Sequence, residues 1–191
     1  MSDPCLTFTN LTLGYAGRAA VHHLDGDITK GSLTAVVGAN GSGKSTLMKG
    51  IAGILKPLGG ECRISAGISV AYLPQDLSTG SDMTIRELVA CGRYPWHGAL
   101  GRFSDLDRQK VEAAIEATHI ERFADRMVGT LSGGERQREW IAMLIAQDAN
   151  CLLLDEPTAA LDIAHQIEVL SLVRRLAHEG GRSVVIVLHD I

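Results

Sequence analysis

Gly38-Ala39-Asn40-Gly41-Ser42-Gly43-Lys44-Ser45-Thr46 lies between an apolar run, Leu33 to Val37, and the segment Leu47-Met48-Lys49-Gly50-Ile51. The run reads as a buried strand and the following segment as the first turns of a helix. In that context the nine residues satisfy the phosphate-loop pattern G-x-x-x-x-G-K-[ST] at every position. Glycines let the backbone curl closely around phosphates, so that successive N–H groups and the helix N-terminus face the anion. Lys44 adds a mobile positive charge suited to β- and γ-phosphates, and Ser45 offers a hydroxyl to Mg²⁺. The stretch predicts a nucleotide-binding protein.

Working outward, the bulk properties narrow the class. The chain has 191 residues, enough for one domain with a real core. Hydrophobic residues make up 46%, yet the longest aliphatic run, Val184 to Leu188, is far too short to span a bilayer. No charged-then-apolar leader opens the chain. The net charge of −4 speaks against nucleic acid as a partner. Cys5, Cys62, Cys91 and Cys151 form no Cys-x-x-Cys pair, so reduced thiols are expected rather than a disulfide or zinc framework. A soluble, intracellular chain is the expectation.

Upstream of the loop, residues 5–14 alternate loosely (Leu6, Phe8, Leu11, Leu13) and read as a strand ending at Gly14-Tyr15. Val21 to Ile28 reads as a second strand and Leu33 to Val37 as a third, which suggests a small antiparallel sheet. His22 and His23 do not make a metal site, because neighbouring strand residues point to opposite faces. Downstream, the helix opening at Lys44 is expected to end near Gly53, with a loop at Pro57 and Gly59-Gly60. Gly67 to Leu73 reads as a strand stopped by Pro74, with Gln75 just beyond. Thr84-Ile85-Arg86-Glu87 is a capping box. Ser104 to His119 is amphipathic, with Leu106, Val111, Ile115 and Thr118 on one stripe. Residues from about 77 to 148 are therefore mostly helical, inserted into an otherwise α/β pattern.

Two further motifs follow. In Leu131-Ser132-Gly133-Gly134-Glu135, Ser132 and Glu135 form a second capping box, which puts the glycines at a helix N-terminus facing an anion. Cys151-Leu152-Leu153-Leu154-Asp155-Glu156-Pro157 is a buried strand ending in two carboxylates, and ligands gather at the carboxyl ends of parallel strands. Ile163 to Glu179 reads as a helix, and Ser183 to Leu188 as a strand ending at His189.

In that order, the phosphate loop, Gln75, Leu131-Ser132-Gly133-Gly134, the Asp155-Glu156 strand and His189 resemble the ATPase subunit of an ABC transporter, along essentially the whole chain. The resemblance implies an α/β P-loop NTPase (RecA-like) core with an antiparallel β subdomain and an inserted helical subdomain. It implies core segments 1–76 and 149–191, a helical subdomain of about 77–148, and a C-terminal end shorter than is usual in the family. ATP and Mg²⁺ are the implied cofactors. Gly38 to Thr46 would hold the phosphates and Tyr15 would stack on adenine. Ser45, Gln75 and Asp155 would hold Mg²⁺. Glu156 would polarise the attacking water, with His189 and Gln75 completing the catalytic set. Leu131, Ser132, Gly133, Gly134 and Glu135 would close on ATP held by a second copy of the domain, and Asp162 would lie at that dimer seam.

The implied partners are this second copy, membrane permease subunits and, indirectly, an extracytoplasmic solute-binding protein, with the chain peripheral on the cytoplasmic face of the membrane. Ala20-Val21-His22-His23-Leu24 with Gly31 to Gly38 looks like zinc- and manganese-import ATPases. Gly92-Arg93-Tyr94-Pro95 with Gly101-Arg102 and Asp107-Arg108, and Leu161-Asp162-Ile163-Ala164-His165-Gln166, look like the iron–siderophore branch. Import of metal ions or chelates covers both; a non-transport ATPase of the iron–sulfur assembly kind would share the same catalytic residues. Two departures stand out besides the short end. Ala159 occupies a position where the family often has serine. Glu139 sits where an apolar residue is common, and an exposed position without functional consequence is expected for it.

Overall fold

The computed structural model describes residues 3–75, 82–97, 101–130, 133–159 and 161–188, with the side chains at 133–135 left aside. It divides into two compact units: Met1–Gln75 with Ala149–Ala159 and Val173–Ile191, and Asp76–Asp148 with Ala160–Leu172.

The first unit holds both sheets. Strands β1 (Pro4–Tyr15), β2 (Arg18–Thr29) and β4 (Gly59–Ile64) form an antiparallel sheet in the order β2-β1-β4. Strands β3 (Leu33–Val37), β5 (Val70–Leu73), β6 (Cys151–Asp155) and β7 (Ser183–Leu188) form a parallel sheet in the order β3-β7-β6-β5. Helix α1 (Lys44–Ile51) packs on β1 and β6. Its Met48 and Ile51 join Leu6, Phe8, Leu11 and Leu13 of β1, Leu153 of β6 and Val185 and Val187 of β7 in one buried cluster. Each such side chain contributes roughly 1.5–3 kcal/mol on burial. The helix comes so close to β1 that a Cβ on Gly50 would meet Leu13 Cδ1 at 2.4 Å. Glycine is what allows the phosphate-loop helix to be clamped between the sheets.

The pairing corrects the sequence reading in two places. β3 does not join the antiparallel sheet; it pairs with β7, 151 residues further along the chain, as the parallel register Leu33↔Val184 shows. β4 lies where a loop was expected, because Gly59 and Gly60 start a strand that pairs with β1 at Thr9↔Glu61 and Leu6↔Ile64. A short, polar partner strand carries too little alternation to be read alone. The expected strand from Gly67 shrinks to Val70–Leu73.

The second unit contains α2 (Ile85–Cys91), α3 (Tyr94–His97), α4 (Asp105–Ala117) and α5 (Gly133–Ala146), with α2, α4 and α5 packed together. The Thr84/Glu87 capping box is present on α2, and Ser104 with Asp107 makes another on α4. Helix α6 (Ile163–His178) runs from this unit into the first. On α4 the buried stripe is Asp107, Val111, Ala114, Ile115 and Thr118, whereas Leu106 is exposed. The reason is spacing: Asp107 lies four residues before Val111, and Leu106 lies five. Asp107 is buried because Arg93 meets it at 2.9 Å and also donates to the Ala146 carbonyl at 2.7 Å. Trp96 keeps half its surface exposed, yet its indole N–H is anchored on the Gln147 carbonyl at 2.7 Å, and the Arg93 guanidinium lies 5.1 Å from its ring centroid.

Glu139 overturns its expectation. It is 0% exposed, and neither carboxylate oxygen has a hydrogen-bond partner among the described residues. Burial pushes its carboxyl up to about 7, against a smaller opposing pull from Arg136. Position 139 falls on the packed side of α5 beside Trp140 and Ile141, so its burial follows from helix phase and not from its own polarity.

Candidate nucleotide-binding and hydrolysis site

In the parallel sheet the strands share one direction, so their carboxyl ends open along one edge. The phosphate loop follows β3, Gln75 lies two residues past β5, and Asp155 ends β6. A cavity of about 340 Å³ lies there, lined by Ala20, Asn40, Gly41, Gly43, Lys44, Ser45, Thr46, Gln75 and Glu156.

The loop is built for an anion. Gly43, the N-cap of α1, has φ +94°, and a Cβ there would stand 2.6 Å from the Ala20 carbonyl of β2, so only glycine fits. It offers no side-chain cap, and the first turn of α1 carries no acidic residue. The first N–H groups of the helix, with the positive end of its dipole, are thus left to an external acceptor. Lys44 is 7% exposed, and its ammonium donates to the carbonyls of Gly38, at 2.5 Å, and Ala39, at 3.1 Å. A cation held inside the loop in this way can be exchanged onto phosphate oxygens with little further desolvation.

Opposite the loop stand the two carboxylates. Asp155 is 2% exposed; Ser45 Oγ donates to its Oδ1 and the Tyr72 hydroxyl to its Oδ2, each at 3.1 Å. Burial pushes its carboxyl up, the two hydrogen bonds pull it down, and the neighbouring Glu156 raises it again. Glu156 is 8% exposed with φ +53°, a backbone conformation costly for a non-glycine residue and typical of functional positions. That turn aims its side chain into the cavity, where Gln75 Nε2 donates to Oε2 at 2.7 Å. The Ser45 hydroxyl and the Asp155 carboxylate form a compact, oxygen-only donor set, which suits a hard cation such as Mg²⁺.

The structure thus brings Asn40, Gly41, Gly43, Lys44, Ser45, Thr46, Gln75, Glu156 and Asp155 together. Tyr15 is half exposed at the end of β1, opposite Arg18 in the register with β2, and does not line the cavity. Asp162 is exposed and caps α6, accepting from the His165 amide at 3.0 Å and pairing with its imidazole at 2.9 Å. Leu131, Ser132, His189 and the Glu135 side chain lie outside what is described, and Gly133 and Gly134 open α5. Two contributors were not picked out from the sequence. Ala20 enters through the fold of β2 against the loop; Tyr72 lies inside the segment expected as a strand from Gly67 to Leu73 and was not singled out.

The family model described as ABC transporter matches residues 21–159. The chain belongs to the ABC transporter family. It is similar, at 42% identity, to the Achromobactin transport ATP-binding protein CbrD of Dickeya dadantii (strain 3937), over 97% of this chain and 73% of that protein. It is also 42% identical to the probable siderophore transport system ATP-binding protein YusV of Bacillus subtilis (strain 168), over 100% of this chain and 74% of that one. Among solved structures it resembles an inward-facing metal-chelate type ABC transporter, with 34% identity and a TM-score of 0.91 over 98% of this chain and 73% of that one. The P-loop NTPase fold is therefore shared with ABC cassettes, and ABC transporter ATP-binding subunits hydrolyse ATP to power transport. No helix among the described residues of this ABC protein is long and apolar enough to cross a membrane.

Proposed function

We propose that this chain is the ATP-hydrolysing subunit of an importer for metal chelates of the iron–siderophore kind. The observation that carries the reading is the Glu156 carboxylate, turned into the phosphate-loop cavity and held there by Gln75. The cargo is inferred from the likeness to siderophore and achromobactin transport proteins over nearly the whole chain.

In this reading the amides from Gly38 to Thr46 and the Lys44 ammonium bind the phosphates of ATP, with Tyr15 stacking on adenine. Ser45 and Asp155, with Gln75, would hold Mg²⁺, which when bound neutralises phosphate charge. Glu156 accepts the proton of the attacking water, and Gln75 and His189 keep base, water and phosphate aligned. Phosphoryl transfer asks mainly for such positioning and charge stabilisation. Importer ATPase subunits dimerise and pair with membrane permeases. Here Leu131, Ser132, Gly133, Gly134 and Glu135 of a second copy close on the nucleotide, with Asp162 at the seam. The assembled pair docks on permease subunits at the cytoplasmic face, fed by a solute-binding protein.

The test is uptake of radiolabelled ferric siderophore into proteoliposomes carrying the chain with its permease. Uptake that requires ATP and stops with Glu156→Gln is the expected result. Uptake that persists in Glu156→Gln overturns the assignment, and a chain that purifies with soluble scaffold proteins but no permease favours a non-transport ATPase.

A further inference from the structure

We propose that Tyr72 is a positioning residue for the divalent cation of the ATPase reaction, acting through Asp155. The proposal rests on the reading of Asp155 as a ligand of Mg²⁺, direct or through water.

The register of two parallel strands places the pair. Tyr72 on β5 stands opposite Leu153 on β6. Strand side chains alternate between faces, so Asp155, two residues beyond Leu153, projects from the same face as Tyr72. The length of a phenol covers that two-residue offset, and its hydroxyl reaches Asp155 Oδ2 at 3.1 Å. Ser45, from the start of α1, takes the other oxygen, Oδ1, also at 3.1 Å. An aspartate's terminal torsion is otherwise broad and nearly two-fold. Donors on both oxygens hold this carboxylate in one plane, and the Ser45 side of that plane is the side of the phosphate loop.

The environment makes that restraint matter. Asp155 is nearly fully buried and is followed directly by the buried Glu156, so two carboxylates share a poorly solvated corner. Without the phenol hydroxyl, Oδ2 loses its donor among the described residues. The carboxylate is then free to turn its oxygens away from Ser45. Mg²⁺ demands near-ideal octahedral geometry and gives up water reluctantly, so a turned carboxylate weakens the cation more than the phosphates. Partners that orient metal-holding residues typically account for 10–100-fold in metal affinity. The phosphate loop itself does not touch Tyr72 by any hydrogen bond among the described residues.

Mn²⁺ binding to the ATP-loaded protein, followed by the loss of the free-ion electron paramagnetic resonance signal, tests this. Tyr72→Phe is expected to raise the Mn²⁺ dissociation constant about tenfold, while affinity for a fluorescent ATP analogue in excess EDTA stays at the wild-type value. In a cycle with Asp155→Asn, the double variant should bind Mn²⁺ no worse than Asp155→Asn alone, since the phenol acts only through that carboxylate. Wild-type Mn²⁺ affinity in Tyr72→Phe, with Asp155→Asn impaired, overturns the role of Tyr72 and leaves the metal reading standing. Wild-type affinity in both variants overturns the metal reading and the proposal with it. Additive losses in the double variant also overturn it, because Tyr72 would then act through packing.

Discussion

Gln75 Nε2 donates to Glu156 Oε2 at 2.7 Å, joining the residue two places past β5 to the residue that follows β6. The bond links two loops whose strands run side by side. It also fixes one carboxylate oxygen of a side chain whose backbone already sits in the left-handed region. An amide donor on Oε2 sets the orientation of the carboxylate inside the cavity.

Gln75→Ala should therefore lower kcat about tenfold or more with little change in ATP affinity, because the base is present but less well aimed. Glu156→Gln should cost at least about a hundredfold in kcat, since an amide cannot accept the proton. Steady-state hydrolysis and a separate binding titration check both. An equal loss of binding and turnover in Gln75→Ala would show that the bond supports the loop and not the chemistry.

Lys44→Ala removes the buried ammonium whose present acceptors are the Gly38 and Ala39 carbonyls. A charge-assisted contact to phosphate is worth roughly 1.5–3 kcal/mol, so ATP affinity should fall about 10–100-fold while the fold is retained. Titration with a fluorescent analogue measures this directly. Unchanged affinity would remove Lys44 from the site.

Glu139 makes a prediction about pH. Its carboxyl is raised from the ordinary 4.5 to about 7 by burial. The folded state therefore holds this proton more tightly than the unfolded chain does. Its contribution to stability is fully present below about pH 4.5 and is lost as pH rises through 7. Glu139→Leu should bring little change near pH 4.5 from this source but a growing gain up to pH 8, reaching at most about 3 kcal/mol. Thermal unfolding of both proteins across that range tests it; a difference that does not grow with pH would mean the carboxylate is not desolvated.

Asp107→Ala should destabilise the helical unit. It strands the buried Arg93 guanidinium, leaving it the Ala146 carbonyl, and it removes the second half of the Ser104 capping box. The hydrogen bonds from Ser104 and then Arg93 hold the Asp107 carboxyl well below the usual carboxylate range. That contribution is therefore present above the ordinary carboxylate range and is lost only in strong acid. A melting temperature lowered by about 5 °C or more at pH 7 is expected, with the gap to wild type closing only below about pH 3. A gap that already closes by pH 5 would show that the pair is not charged in the folded protein.

What could be read from sequence was what is contiguous. Gly38 to Thr46, the Thr84/Glu87 box and the apolar strand ending in Asp155-Glu156 each encode their local structure in adjacent residues, because turn, cap and strand preferences act over a few positions. Their order along the chain then carried the family resemblance. β4 escaped because it depends on β1 for its partners, and β3 was assigned to the wrong sheet because its neighbour β7 lies at the far end of the described chain.

The rest was decided by contacts between distant residues. Tyr72 and Asp155 are 83 positions apart, Gln75 and Glu156 are 81, and Ser45 and Asp155 are 110; no local spacing couples them. Glu139 shows the limit from the other side. Charge alone placed it on the surface, but the phase of α5 buries it, since a helix fixes the direction of every side chain once its neighbours are packed. The sequence by itself determined the phosphate loop, the acidic strand end and their order. Only the tertiary structure determined which oxygen meets which donor, because that depends on strand register and helix phase across the whole core.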